Sequence, residues 1–175
     1  MVIFRDYDVR KQLYRSVFSG ACGVTYGHHA IWQFYSEPDK IPITYADRHW
    51  KEALDRPGAF QAGWLRKLIE PLMAANPTPD QALIINAPER KEEYMTALRT
   101  ADSSYAMIYM PVGRKIEINT APLKTGKLNA WWFNPKNNSR KKIGPVKKMA
   151  LMSFTPPNTG PGNDWVLILD GIYRR

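Results

Sequence analysis

Apolar positions divide the chain into two textures. Val9, Leu13 and Val17 recur every four residues, which predicts an amphipathic helix capped by Asp6 or Asp8. It should stop near Gly20, where a missing Cβ permits a left-handed C-terminal turn. Residues 22–26 form a short run containing β-branched side chains and read as one strand. Gly27-His28-His29-Ala30-Ile31-Trp32-Gln33-Phe34 is too polar for a core strand and too aromatic for an ordinary linker. An irregular stretch through Pro38, Pro42 and Pro57 leads to a second amphipathic pattern. There Phe60, Trp64, Leu65, Leu68, Ile69 and Leu72 share a face, and Pro71 should kink or end the helix. Helix, strand, long loop and helix make an α/β unit.

Asn76-Pro77-Thr78-Pro79-Asp80 reads as a linker, because two prolines forbid a continuing helix. Beyond it the apolar runs shorten. Strands are expected at residues 82–86, 94–100, 105–110, 115–119, 128–133, 149–155 and 165–169. Such spacing, punctuated by Pro, Gly, Asn and Asp, favours an antiparallel sandwich or barrel. Residues 134–138 look like a hairpin tip. On the strand before it, alternation sends Trp131 and Phe133 to one face and Trp132 to the other. One face is core, so a large aromatic on the other must be exposed or covered by the first half. The expected fold is thus mainly β, an antiparallel sandwich over residues 80–175 preceded by an α/β portion over residues 1–79. One strand and two helices do not close an α/β sheet by themselves. The apolar helix faces need the β-rich half or another chain.

Charge changes this picture in one place. The net charge is +9, but residues 1–79 carry only +2 of it. No acid lies between Glu117 and Asp164, while Lys124, Lys127, Lys136, Arg140, Lys141, Lys142, Lys147 and Lys148 accumulate. Such a stretch either guards a sheet edge or attracts an anionic partner. Nucleic acid is the more distant of those partners. No apolar run approaches the length of a membrane span, and the first residues lack a signal-peptide layout. The single cysteine, Cys22, excludes an intramolecular disulfide and a cysteine-based zinc cage.

The densest candidate chemistry is the stretch 26–33. Tyr26 and Trp32 offer flat faces to sugar rings, and His28, His29 and Gln33 offer hydrogen bonds to hydroxyls; burial of either histidine as a structural group is the competing reading. No metal or other cofactor is expected, because the paired histidines point apart in extended chain and lack acidic or thiol companions at ligand spacing. Glycoside hydrolysis needs two carboxyl groups across a cleft. Asp6 and Asp8 are better read as helix caps and Glu70 as helix surface, which leaves Glu37 and Asp39 to test. No catalytic pair is self-evident. Ser19 and Cys22 have no patterned base.

Several of these stretches together resemble a known family. Residues 8–10, Gly20-Ala21-Cys22-Gly23-Val24-Thr25-Tyr26-Gly27-His28-His29, Trp32-Gln33 and Leu54-Asp55-Arg56-Pro57-Gly58-Ala59 resemble the end of the barrel in apiosidase-like glycoside hydrolases. Residues 104–111, 130–135 and 154–167 resemble that family's C-terminal β-sandwich, often labelled collagen-binding. The resemblance implies a (β/α)8 barrel hydrolase acting on plant-type glycans, followed by a sandwich packed against it. Its two catalytic carboxylates come from barrel strands four and seven. This chain starts just after the strand-seven motif, so neither transfers to a residue here, and independent activity is not expected. What transfers is Tyr26, His28, His29 and Trp32, at the rim of the eighth strand. Carbohydrate is the implied partner, with a barrel-completing chain or a second copy beside it, and full-length relatives are expected to be exported.

Overall fold

The computed structural model describes residues 4–36 and 41–171. Glu37 and Asp39 therefore lie outside the described residues. The first helix, α1, spans Asp6–Phe18. Asp8 does cap it, accepting the Arg5 amide at 3.0 Å. Asp6 does not: its carboxylate turns to Arg10 and Gln61. At the other end Gly20 sits at φ +94°, with the Gly20 amide donating to Val17 and the Ala21 amide to Ser16. That pair of bonds is the expected left-handed termination.

Residues 22–26 differ from expectation. They form no strand, because a strand exists only where a neighbour accepts its hydrogen bonds and none is present among the described residues. Two one-turn helices follow, α2 at His29–Trp32 and α3 at Trp50–Ala53. The long helix α4 covers Pro57–Ile69. Pro71 then converts the chain to a 3₁₀ turn at Glu70–Ala75. Leu65, Leu68 and Ile69 are buried as the pattern demands, whereas Phe60 is exposed.

Eight strands follow among the described residues. These are β1 (Pro77–Pro79), β2 (Thr96–Thr100), β3 (Tyr105–Met110), β4 (Ile116–Ile118), β5 (Lys127–Asn134), β6 (Ser139–Lys147), β7 (Met152–Phe154) and β8 (Trp165–Asp170). Six form one antiparallel sheet in the order β1-β2-β3-β8-β5-β6, and β4 pairs with β7 in a second. Three expectations fail here. The presumed linker contains edge strand β1, which tolerates its prolines because an edge leaves one side unpaired. Residues 82–86 are mostly a 3₁₀ turn at Gln81–Leu83, with a single bridge from Ile84 to Ile118. The exposed edge strand β6 carries no apolar alternation and was not anticipated.

The large sheet has a core on each face. Ala106, Ile108, Met110, Ala130, Trp132, Trp165, Leu167 and Leu169 meet Ile116, Ile118 and Phe154 of the small sheet, making an unequal sandwich. On the opposite face Met107, Tyr109, Phe133, Val166 and Ile168 meet Leu13, Tyr14 and Phe18 of α1 and Leu65, Leu68 and Ile69 of α4. Trp131 packs at the margin of this second core, so the sheet's outer aromatics are covered by the first half. Each fully buried Leu or Phe in it contributes about 1.5–3 kcal/mol. The helices are thus fastened to the sandwich, which fixes where the loop between them projects.

Candidate functional site

The loop carrying Tyr26, His28, His29 and Trp32 projects from between α1 and α4. Tyr26 turns inward. A Cβ on Gly58 would lie 2.9 Å from its ring, so the absence of a side chain there is what lets the ring rest on the start of α4. Burial pushes the Tyr26 phenol up. His28 is the N-cap of α2, its Nδ1 accepting the Ala30 amide at 3.2 Å. Burial pulls its pKa down, against the opposing pull of Asp47. An acceptor ring nitrogen is necessarily unprotonated, so both observations describe a neutral imidazole.

His29 and Trp32 face outward and meet. Their ring centroids are 5.6 Å apart, and Tyr45 stands edge-on to His29 at 6.3 Å. Trp32 is 59% exposed and Tyr45 58%. Thr44 Oγ1 lies 2.9 Å from His29 Nδ1 and 2.6 Å from the Ile43 carbonyl, with one proton to share between them. The direction of the His29–Thr44 bond follows the ring's tautomer, and Nε2 lies on the other side of the ring. Gln33 fixes the loop. Its amide donates to the His29 and Ile43 carbonyls at 2.8 and 2.7 Å and accepts the Ile43 amide at 2.9 Å. The result is an exposed aromatic shelf of Trp32, His29 and Tyr45 with an imidazole ring nitrogen, His29 Nε2, beside it. Tyr45 was missed in the sequence, since nothing local shows that residues 41–45 fold back onto α2.

Carboxylates near the shelf are poorly suited to proton transfer. Arg48 grips Asp47 with bonds of 2.8 and 2.6 Å and holds its carboxyl down at about 2. A general acid needs the opposite shift. Among the described residues no cluster of three or more His, Cys, Asp or Glu could hold a metal ion. Cys22 is exposed and lines an apolar groove of about 600 Å³ between α1, α4 and β1.

A second polar cluster went unread in the sequence. Arg10, 1% exposed, donates Nε and Nη2 to Asp164 at 2.8 and 2.7 Å, and Nη1 to Gln61 at 2.8 Å. Tyr109 donates to the same carboxylate at 3.2 Å. Gln61 also donates to Asp6 and to the Lys136 carbonyl, each at 3.4 Å. These groups tie α1, α4 and the sandwich together, and with every polar atom engaged inside the protein they form a joint rather than a ligand site.

This two-part architecture is matched by known proteins. Residues 2–76 match the family model described as "Apiosidase-like, catalytic domain", and residues 78–170 match "Putative collagen-binding domain of a collagenase". By the second match, which covers more than half of its residues, the chain belongs to that collagen-binding-domain family, and its first part is similar to the apiosidase-like catalytic domain. A solved structure titled "Glycoside hydrolase" superposes with a TM-score of 0.90 at 32% identity, over 99% of this chain. A glycoside hydrolase family 5 crystal structure from Bacteroides vulgatus gives a TM-score of 0.90 at 28% identity, again over 99%. The chain spans only 38% and 37% of those two proteins. No curated protein matches it. The first match contains α1, the aromatic shelf and α4, and the second contains β2–β8.

Proposed function

We propose that this chain is the C-terminal portion of a glycoside hydrolase acting on plant-type glycans, and that its own residues bind sugar without breaking the glycosidic bond. Residues 1–79 supply the barrel end and residues 80–175 the sandwich that seats it. The observation that carries the reading is the shelf of Trp32, His29 and Tyr45. Flat aromatic faces cover the apolar side of a sugar ring, and His29 Nε2 hydrogen-bonds a sugar hydroxyl. His28 and Tyr26 hold the shelf from behind. Among the described residues the carboxylate beside it, Asp47, stays ionised and paired with Arg48.

On this reading the two carboxylates of the reaction are supplied by a preceding barrel segment. Residues 22–27 form neither helix nor strand and make no backbone hydrogen bond among the described residues, and Cys22, Gly23 and Val24 line an apolar groove. Both features suit a polypeptide that adds strands there, as barrel closure requires. The test incubates the purified chain with apiose-bearing and rhamnogalacturonan-type oligosaccharides, alone and co-expressed with the preceding barrel segment of a family member. Hydrolysis is expected only from the co-expressed pair, with Trp32→Ala raising KM. Hydrolysis by the chain alone overturns the reading, and so does self-association that buries the groove and leaves the barrel segment unbound.

A further inference from the structure

The basic stretch becomes specific once its strands are placed. On β5, Leu128, Ala130 and Trp132 face the sandwich core, so Lys127, Trp131 and Phe133 face the helical side. The register pairs Lys127 with Lys147, Trp131 with Lys142 and Phe133 with Arg140. Lys127, Lys147, Lys142 and Arg140 therefore share one face of the β5–β6 ribbon. At about 3.3 Å per residue, Arg140 to Lys147 spans roughly 20 Å.

Three observations separate this face from simple protection of an edge. Guarding β6 against a neighbouring strand needs a charge or two of either sign, and Gly144 and Pro145 already interrupt it. Lys127 and Lys147 stand directly opposite each other, an arrangement that costs stability. Finally, the cations are held in place: Arg140 lies 5.8 Å above the Phe133 ring and Lys142 5.5 Å above Trp131. All four are exposed, and none pairs with a carboxylate among the described residues. Asp170, opposite Asn129 on β8, is the acid placed on the same face.

We propose that this face of the β5–β6 ribbon binds an anionic polysaccharide, a chain of uronate sugars lying along the strands. A linear polyanion matches a linear row of fixed cations, and a sugar polymer is favoured over nucleic acid because the aromatic rings here sit under cations and leave no open face for a base to stack on. The inference rests on the glycan reading above and extends it to a second surface, built on different elements from the shelf.

The experiment measures retention of the full chain on immobilised polygalacturonate, on a neutral galactan and on duplex DNA, across 50–500 mM salt. Expected is retention on polygalacturonate at 150 mM salt, weakening steeply as salt screens the contacts, with none on galactan. Arg140→Gln/Lys142→Gln should weaken binding at least tenfold, whereas Lys91→Gln/Lys115→Gln should leave it within twofold. Unfolding midpoints of both variants, all four positions being exposed, check that the fold persists. Equal loss from both pairs, no retention at 150 mM salt, or tighter binding to DNA overturns the proposal. Hydrolysis plays no part in the readout, so this surface can fail while the shelf's role stands, and the reverse.

Discussion

At the residue scale the decisive group is Arg10, buried against Asp164 at a separation of 154 positions. Removing a charge from water costs several kcal/mol, and here two carboxylate bonds, Gln61 and Asp6 offset it. Breaking one side of such a pair leaves the other charge uncompensated. Asp164→Asn should therefore lower the stability of the chain by about 3–5 kcal/mol in urea unfolding. The double variant Arg10→Met/Asp164→Leu should recover much of that loss. If Asp164→Asn unfolds within 1 kcal/mol of the parent, roughly the worth of a surface ion pair, the joint is not what couples the helices to the sandwich. No short pattern could reveal this pair: Arg10 looks like a solvent-facing position on an amphipathic helix, and Asp164 like the end of a turn. The same blindness left Asp6 as an apparent cap, because a capping aspartate and a networked one occupy the same first turn.

At the element scale, legibility followed burial. β3 and β8 are buried on both faces and β5 on one, and their apolar runs mark them to within a residue or so. The edge strands β1 and β6 bury little, so prolines and lysines hid them. Residues 22–26 have a strand's composition but lack the neighbour that makes one. The shelf was half legible: His29 and Trp32 lie three apart on one helical turn, whereas Tyr45 arrives through the Gln33 bonds to a distant loop. Element α2 also carries a pH response. Its cap requires neutral His28, whose pKa lies below the ordinary 6.5 chiefly through burial. A depressed folded-state pKa means that the cap's contribution is fully present above pH 6.5 and is lost as pH falls through the folded value. The protection factor of the Ala30 amide should decline over that window. His28→Asn, which caps without titrating, should abolish the decline, and His28→Ala should cost about 1 kcal/mol of local stability above pH 6.5, shrinking toward zero as the parent's own cap is lost at lower pH. An undiminished decline in His28→Asn would place the titrating group elsewhere.

At the scale of the whole molecule, the two family matches meet at residues 76–78, yet the physical core does not divide there. Tyr14 stacks on Tyr109 at 4.9 Å, and α1, α4 and the large sheet enclose one cluster of buried side chains. Both helices should consequently share the sheet's cooperative unfolding, while the chain between them, which contributes nothing to that cluster, opens on its own. Hydrogen exchange resolves these cases. Amides inside α1 and α4 should approach the protection of β3 and β8, and residues 22–27 should exchange near the intrinsic rate. Helices that exchange far faster than the sheet would mean that the sandwich folds without them and that the cluster forms only in a larger assembly. Addition of a barrel segment should then slow residues 22–27 alone if it pairs with them as a neighbouring strand. Slowing confined to residues 41–45 and the shelf would instead mean that the segment covers the aromatic loop, where a strand partner has nothing to bond.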